Sequence, residues 1–98
     1  MQFSVRISDY QKNIMVNMCD VELLGKDVVD GELKIHISEI YYGKQLVDKD
    51  KAISLLSSAS MLNLVGKETI SLAIGLRIGS ESGVKIISGV PFLIIFNT

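Results

Sequence analysis

The sequence predicts an α+β fold, a single small domain with a mixed, mostly antiparallel sheet of about five strands covered by two helices. Three observations predict it. Apolar and polar residues alternate near the start of the chain, an apolar run at Val90–Phe96 closes it, and apolar residues recur at intervals of three and four in the middle. The resulting order, three strands, two helices, then two strands, segregates the elements instead of alternating them as βαβ units do. With 98 residues, 48% of them hydrophobic and 21% charged, the chain has the size and balance of one core, so residues 1–98 are read as one domain.

Each element follows from local pattern. Phe3, Val5 and Ile7 alternate with Ser4 and Arg6, and Ile14, Val16 and Met18 alternate with Met15, Asn17 and Cys19, with turn-favouring Ser8–Asn13 between them. This predicts a hairpin. Asp20 is placed to cap a helical turn over Val21–Leu24 that Gly25 stops. Asp30-Gly31 introduces a third strand over Glu32–Ser38, with Leu33, Ile35 and Ile37 on one face and Lys34 and His36 on the other. Ser38 caps a turn through Glu39–Tyr42 that ends at Gly43.

Asp48 begins the strongest helical pattern. Ala52, Leu55, Leu56, Ala59 and Leu62 form its apolar stripe, and Asn63 and Gly66 mark its end. A second helix is predicted over Lys67–Gly75, with Gly75 at the stopping position. After the loop Gly79–Gly83 come a short strand over Val84–Ser88 and a closing strand entered through Gly89-Val90-Pro91. In that strand Phe92, Ile94 and Phe96 oppose Leu93 and Ile95, so both faces are apolar. The expectation is a strand covered on both sides or completed by a partner.

Composition narrows the chemistry. Ten Lys plus Arg against eleven Asp plus Glu give a net charge of −1, which lacks the usual signature of a free-standing nucleic-acid binder without excluding a local cluster of cations. One cysteine, Cys19, forbids an internal disulfide and suits a reducing compartment, and the start carries no pattern of a signal peptide, so the expected location is cytoplasmic. The longest apolar run, Val90–Phe96, is far below the ~20 residues of a membrane helix.

No catalytic residue is assigned. His36 is the only imidazole and its place is accounted for by strand alternation, while Cys19 has no visible activating partner and reads as a small buried residue. One Cys and one His cannot close a zinc site, and Asp48 and Asp50 suit a helix N-terminus better than a magnesium ion, so no metal and no cofactor are expected. Gly66-Lys67-Glu68-Thr69 fails as a phosphate loop because Met61 replaces the upstream glycine and Glu68 the hydroxyl residue. Gly75, Gly79 and Gly83, spaced by four, do not reproduce the dinucleotide fingerprint.

Three segments, taken together, resemble the archaeal family named domain of unknown function 424. They are Cys19-Asp20-Val21-Glu22-Leu23-Leu24-Gly25-Lys26, Tyr42-Gly43-Lys44-Gln45-Leu46-Val47, and Asn63-Leu64-Val65-Gly66 followed by Ala73-Ile74 and Gly89-Val90-Pro91. The family's pattern places His after Gly-Val-Pro, where this chain has Phe92. The resemblance implies a non-enzymatic component of archaeal translation, a ribosomal protein or ribosome-associated RNA-binding protein. Its partners would be ribosomal RNA and neighbouring ribosomal proteins. Candidate phosphate contacts are then Arg6, Lys12, Lys26, Lys34, Lys44, Lys67, Arg77 and Lys85, with Tyr42 beside Lys44 as a ring for base stacking. Each cation equally serves solubility. The alternative is a protein–protein interaction module using a sheet edge or the apolar closing strand.

Overall fold

The structure is a computed structural model that describes residues 1–43 and 45–97. Its strands are β1 (Gln2–Tyr10), β2 (Asn13–Asp20), β3 (Asp27–Asp30), β4 (Leu33–His36), β5 (Gln45–Asp48), β6 (Met61–Val65), β7 (Lys85–Ile87) and β8 (Val90–Phe96). The helices are α1 (Glu39–Tyr42), α2 (Lys49–Ser58) and α3 (Lys67–Gly75), with 3₁₀ turns at Val21–Leu23 and Glu81–Gly83. Six strands form one mixed sheet in the order β5-β1-β2-β6-β8-β7, and β3 and β4 pair separately. Only β2 and β6 run parallel; every other pairing is antiparallel. The α+β class, the mostly antiparallel sheet and the two covering helices match the expectation, but the main sheet gains β5 and β6 and lacks the third predicted strand, whose Leu33–His36 pairs with β3 in a separate hairpin.

The extra strand is the main correction. The helix predicted to run through Leu62 stops at Ser58, and Met61–Val65 becomes β6, near the centre of the sheet. Ala59 leaves the helix with φ −73 and ψ 145, an extended conformation. From there Leu62 and Leu64 reach the core by alternation, at 0% and 1% exposure. Asn63 therefore lies in a strand, and Gly66 opens α3 instead of closing α2. Two four-residue strands, β3 and β5, are also additional.

Alternation sorts the sheet into two faces. On one, Phe3, Val5, Val16, Met18, Leu62, Leu64, Leu93 and Ile95 pack with Ala52, Leu55 and Leu56 of α2 and Ile70 and Ala73 of α3. On the other, a second core joins Cys19, Val65 and Ile87 of the main sheet to Val28 and Ile37, with Leu24, Ile35, Tyr42, Val90 and Phe92 around them. The β3–β4 hairpin and α1 thus cover one end of this second face. Among the described residues no helix is long and apolar enough to cross a membrane.

Candidate functional site

Of the segments that carried the family resemblance, Cys19–Lys26, Asn63–Gly66 and Gly89-Val90-Pro91 meet at the start of α3, while Gln45–Val47 lies in edge strand β5. Asp20, at the end of β2, is 4% exposed. Its side chain makes no bond to the Val21–Leu23 turn it was expected to cap. Instead, Oδ2 accepts from Glu68 N at 3.1 Å, and Oδ1 accepts from Thr69 N and Thr69 Oγ1, each at 2.8 Å. Asp20 therefore caps α3 from another strand, satisfying the orphan amides of a helix whose own cap position is a glycine. That glycine is obligatory. Gly66 has φ +108, and a Cβ there would lie 2.3 Å from the Asp20 carboxyl carbon.

Gly66 N also donates to Pro91 O at 3.0 Å, which brings the Gly89-Val90-Pro91 segment to the same place. The result is a shallow cleft of about 280 Å³ lined by Asp20, Glu22, Leu23, Gly66, Lys67, Glu68 and Gly89–Pro91. It offers little chemistry. Both Asp20 oxygens are engaged, and burial, with Asp20 and Glu22 adding to it, pushes the Cys19 thiol up to about 12. A thiol with that value is protonated at neutral pH and is not a nucleophile. Gly25 with φ +82 and Gly43 at the end of α1 hold turns, and Lys26 O receives Ile37 N at 2.8 Å. Asp48 accepts from Lys51 N at 2.9 Å and acts as the cap of α2.

The cations proposed from the sequence are not gathered. Lys12 sits in the β1–β2 turn, Lys26 before β3, Lys67 at the start of α3, Arg77 beyond its end and Lys85 on β7. Lys34 Nζ lies 3.5 Å from Asp27 Oδ2, and Lys44 lies outside the described residues. Tyr42 is half-buried in the second core, where burial raises its hydroxyl above the usual value, while its neighbour Tyr41 is 63% exposed. His36, on the exposed side of β4, has Nδ1 2.7 Å from Asp27 Oδ1.

A different set of residues forms the most distinctive surface. On the second face, strand register builds two rows, Arg6–Asn17–Asn63–Ile94, whose β1 and β2 members lie against α1 with Asn17 only 7% exposed, and the more open Ser8–Met15–Met61–Phe96. Arg6 and Asn17 of the first row, with Ser4 from the row beyond it, hold α1 through the carbonyls at its end. Arg6 Nη1 donates to Ile40 O at 2.6 Å, Asn17 Nδ2 to Tyr41 O at 3.0 Å, and Ser4 Oγ to Tyr42 O at 2.8 Å, while Asn63 Nδ2 donates to Asn17 Oδ1 at 2.9 Å. Arg6 is the only charged residue among the eight. Ile94 is 60% exposed and Phe96 69%, beside half-buried Met15 and Met61. The closing strand is therefore covered on one face, where Leu93 and Ile95 are buried, and open at one end of the other.

The sequence signalled this surface only through the two-faced apolarity of Phe92–Phe96. Met15, Met61 and Asn63 join it because β2 and β6 pair in parallel, a long-range event without a local sign.

Comparison with known proteins bears on this geometry. A family model described as "Protein of unknown function (DUF424)" matches residues 8–98. The crystal structure of an uncharacterized conserved protein from Methanopyrus kandleri is similar over 100% of this chain and 95% of that chain, with a TM-score of 0.80 and 19% identity. At that identity the likeness establishes the fold alone. No curated protein matches the chain.

Proposed function

The chain belongs to the DUF424 family of proteins of unknown function, and for it we propose a non-enzymatic role as an interaction module of the translation apparatus, docked on a neighbouring protein through the open end of its second sheet face. The observation that carries the reading is the composition of that surface. The two rows hold Ile94, Phe96, Met15 and Met61, with a single Arg at their β1 end and no Lys, Asp or Glu, and Tyr41 is exposed beside them on α1. Protein interfaces are enriched in aromatic residues, Met and Arg and depleted of Lys, Asp and Glu at their centres. Large exposed apolar side chains grouped on one face mark such sites. The translation setting is drawn from the family resemblance carried by the Cys19–Lys26, Tyr42–Val47 and Asn63–Gly66 motifs with Ala73-Ile74 and Gly89-Val90-Pro91.

A second reading, direct contact with ribosomal RNA, is favoured by the exposed Tyr41 on α1, next to the Ile40 carbonyl that Arg6 bonds, a ring and a cation that together could stack on a base and meet a phosphate. The dispersal of the other described cations weighs against it.

Sedimentation of native ribosomal particles separates the two. If a protein neighbour holds the domain, the tagged chain cosediments with the particles at low salt and at roughly 0.5 M salt, because apolar burial is not screened. Ile94→Lys with Phe96→Asp then releases it. Steep loss with salt, unaffected by these changes, would establish the RNA reading instead. Absence of the wild-type chain from the particles at low salt overturns the translation role.

A further inference from the structure

The main sheet ends beside α3 at an edge strand, β7, and we infer that this edge joins two copies of the chain, β7 pairing antiparallel with the partner's β7 about a two-fold axis through Ile86. The edge shares no residue with the two rows and stands apart from the docking surface above. Within the sheet β7 bonds β8 alone. Their hairpin turns through Ser88 and Gly89, with φ 48 and 79, so the flanking Ile87–Val90 pair exchanges ladder bonds and the next pair, Ile86–Pro91, does not. Pro91 suits that position because it has no N–H to give. Its carbonyl is turned toward the other side, where it accepts from Gly66 N at 3.0 Å. The N–H and C=O of Ile86 therefore point away from β8 at the edge of the sheet, and no other strand among the described residues pairs with them. Such groups are a template for a further strand.

A cleft of about 670 Å³ lies between this edge and α3, with Ile70, Ile74, Val84, Ile86 and Pro91 as its apolar lining. Ile86 is 69% exposed there. Among the described residues two charged ones line the cleft, Lys67 and Glu81, and they sit at opposite ends. Lys67 follows Gly66, which is bonded to Pro91 opposite Ile86, whereas the Glu81 carbonyl receives Val84 N at 3.1 Å, before β7 begins. That polarity decides the occupant. A two-fold axis through Ile86 reverses the second copy, so the partner's Glu81 comes to the Lys67 end and the partner's Lys67 to the Glu81 end. One contact thus forms two pairs of opposite charge, as an isologous interface requires. At its centre each Ile86 N–H donates to the C=O of the partner's Ile86, and the two side chains meet between the clefts. Lys85, on the other face of the sheet, falls opposite the partner's Ile87 and not opposite a cation.

The test is sedimentation velocity of the full chain from about 10 µM to about 1 mM, over which a small edge interface should show a monomer–dimer equilibrium. Lys67→Glu alone and Glu81→Lys alone should each weaken the dimer about tenfold or more, because both symmetric pairs become repulsive, and the double variant should return it to within about threefold of the wild type. Both residues are exposed, so these changes spare the fold. Ile86→Pro removes the N–H at the axis without touching the β7–β8 ladder, and should leave a folded monomer by circular dichroism at every concentration. Should that variant misfold, the charge-reversal series decides. A wild-type chain that stays monomeric at about 1 mM overturns the inference. So does a dimer that tolerates both single charge reversals, or one that the double variant fails to restore. A dimer abolished by Ile94→Lys with Phe96→Asp and unaffected at Lys67 and Glu81 places the contact on the second face and overturns the β7 pairing too.

Discussion

Among single residues, Asp20 has the largest structural consequence. It accepts three hydrogen bonds in a nearly water-free setting, and Glu68 and Thr69 have no substitute acceptor in the Gly66 position. Asp20→Ala should destabilise the fold by ~2–3 kcal/mol, from loss of a charged cap with buried amides left unpaired. Urea denaturation with an unchanged m-value checks this. Cys19 makes a chemical prediction. Its pKa is raised by burial, so the contribution of its neutral form to stability is complete below 9.0 and is lost as pH rises toward about 12. At pH 8 a thiol reagent should label the native protein far more slowly than the unfolded chain. Asp27 has the opposite sign. The hydrogen bond with His36 lowers its carboxyl below 3.8, so it supports the β3–β4 pair above that value and ceases to do so as pH falls through its depressed value. Amide-exchange protection in this hairpin should decline there, and Asp27→Asn should remove the pH dependence. Local caps such as Ser38 and Asp48 were legible because their partners lie two and three residues away. The partner of Asp20 lies 48 and 49 residues along the chain, beyond any local pattern.

At the scale of elements, the boundary between α2 and β6 shows how a pattern misleads. Leu55, Leu56, Ala59 and Leu62 keep helical spacing across a real break, because a buried strand after a short turn can place its apolar residues at the same intervals. The end of α3 is equally instructive. Gly75 was expected to stop it, yet Gly75 is its last helical residue and Arg77 takes the left-handed position with φ +61. Ile78 N donates to Ala73 O and Arg77 N to Ile74 O, each at 2.9 Å, the two bonds of a Schellman end. The two residues are thus exchanged relative to their preferences. A Cβ on Gly75 meets nothing within 4 Å, so Gly75→Ala and Arg77→Gly should each add ~0.5–1 kcal/mol. Thermal melting of the single and double variants measures it. The strands β3 and β5, of four residues each, are too short to leave an alternation distinguishable from loop sequence.

For the whole molecule, the sheet has one face closed by two helices and another only half closed, by α1 and the β3–β4 hairpin. On the function proposed above, this asymmetry leaves the uncovered half as the docking surface. It also separates stability from function: Ile94 and Phe96 are 60% and 69% exposed, so Ile94→Ser and Phe96→Ser should change stability by no more than ~0.5 kcal/mol. The fold class and the closing strand were readable in the sequence, but the surface depends on the order of strands from β1 through β2 and β6 to β8, which only the folded chain establishes. Arg6 was singled out from the sequence as a candidate phosphate contact, and its bond to α1 was not foreseeable. The central claim is tested most directly by hydroxyl-radical footprinting of the chain, free and mixed with ribosomal particles, its proposed partner. The account predicts that Met15, Met61, Tyr41 and Phe96 lose several-fold in reactivity on assembly while Ile53 and Leu72, at the helical side, do not. Unchanged reactivity at the first four residues, with protection confined to the helical side, would contradict it.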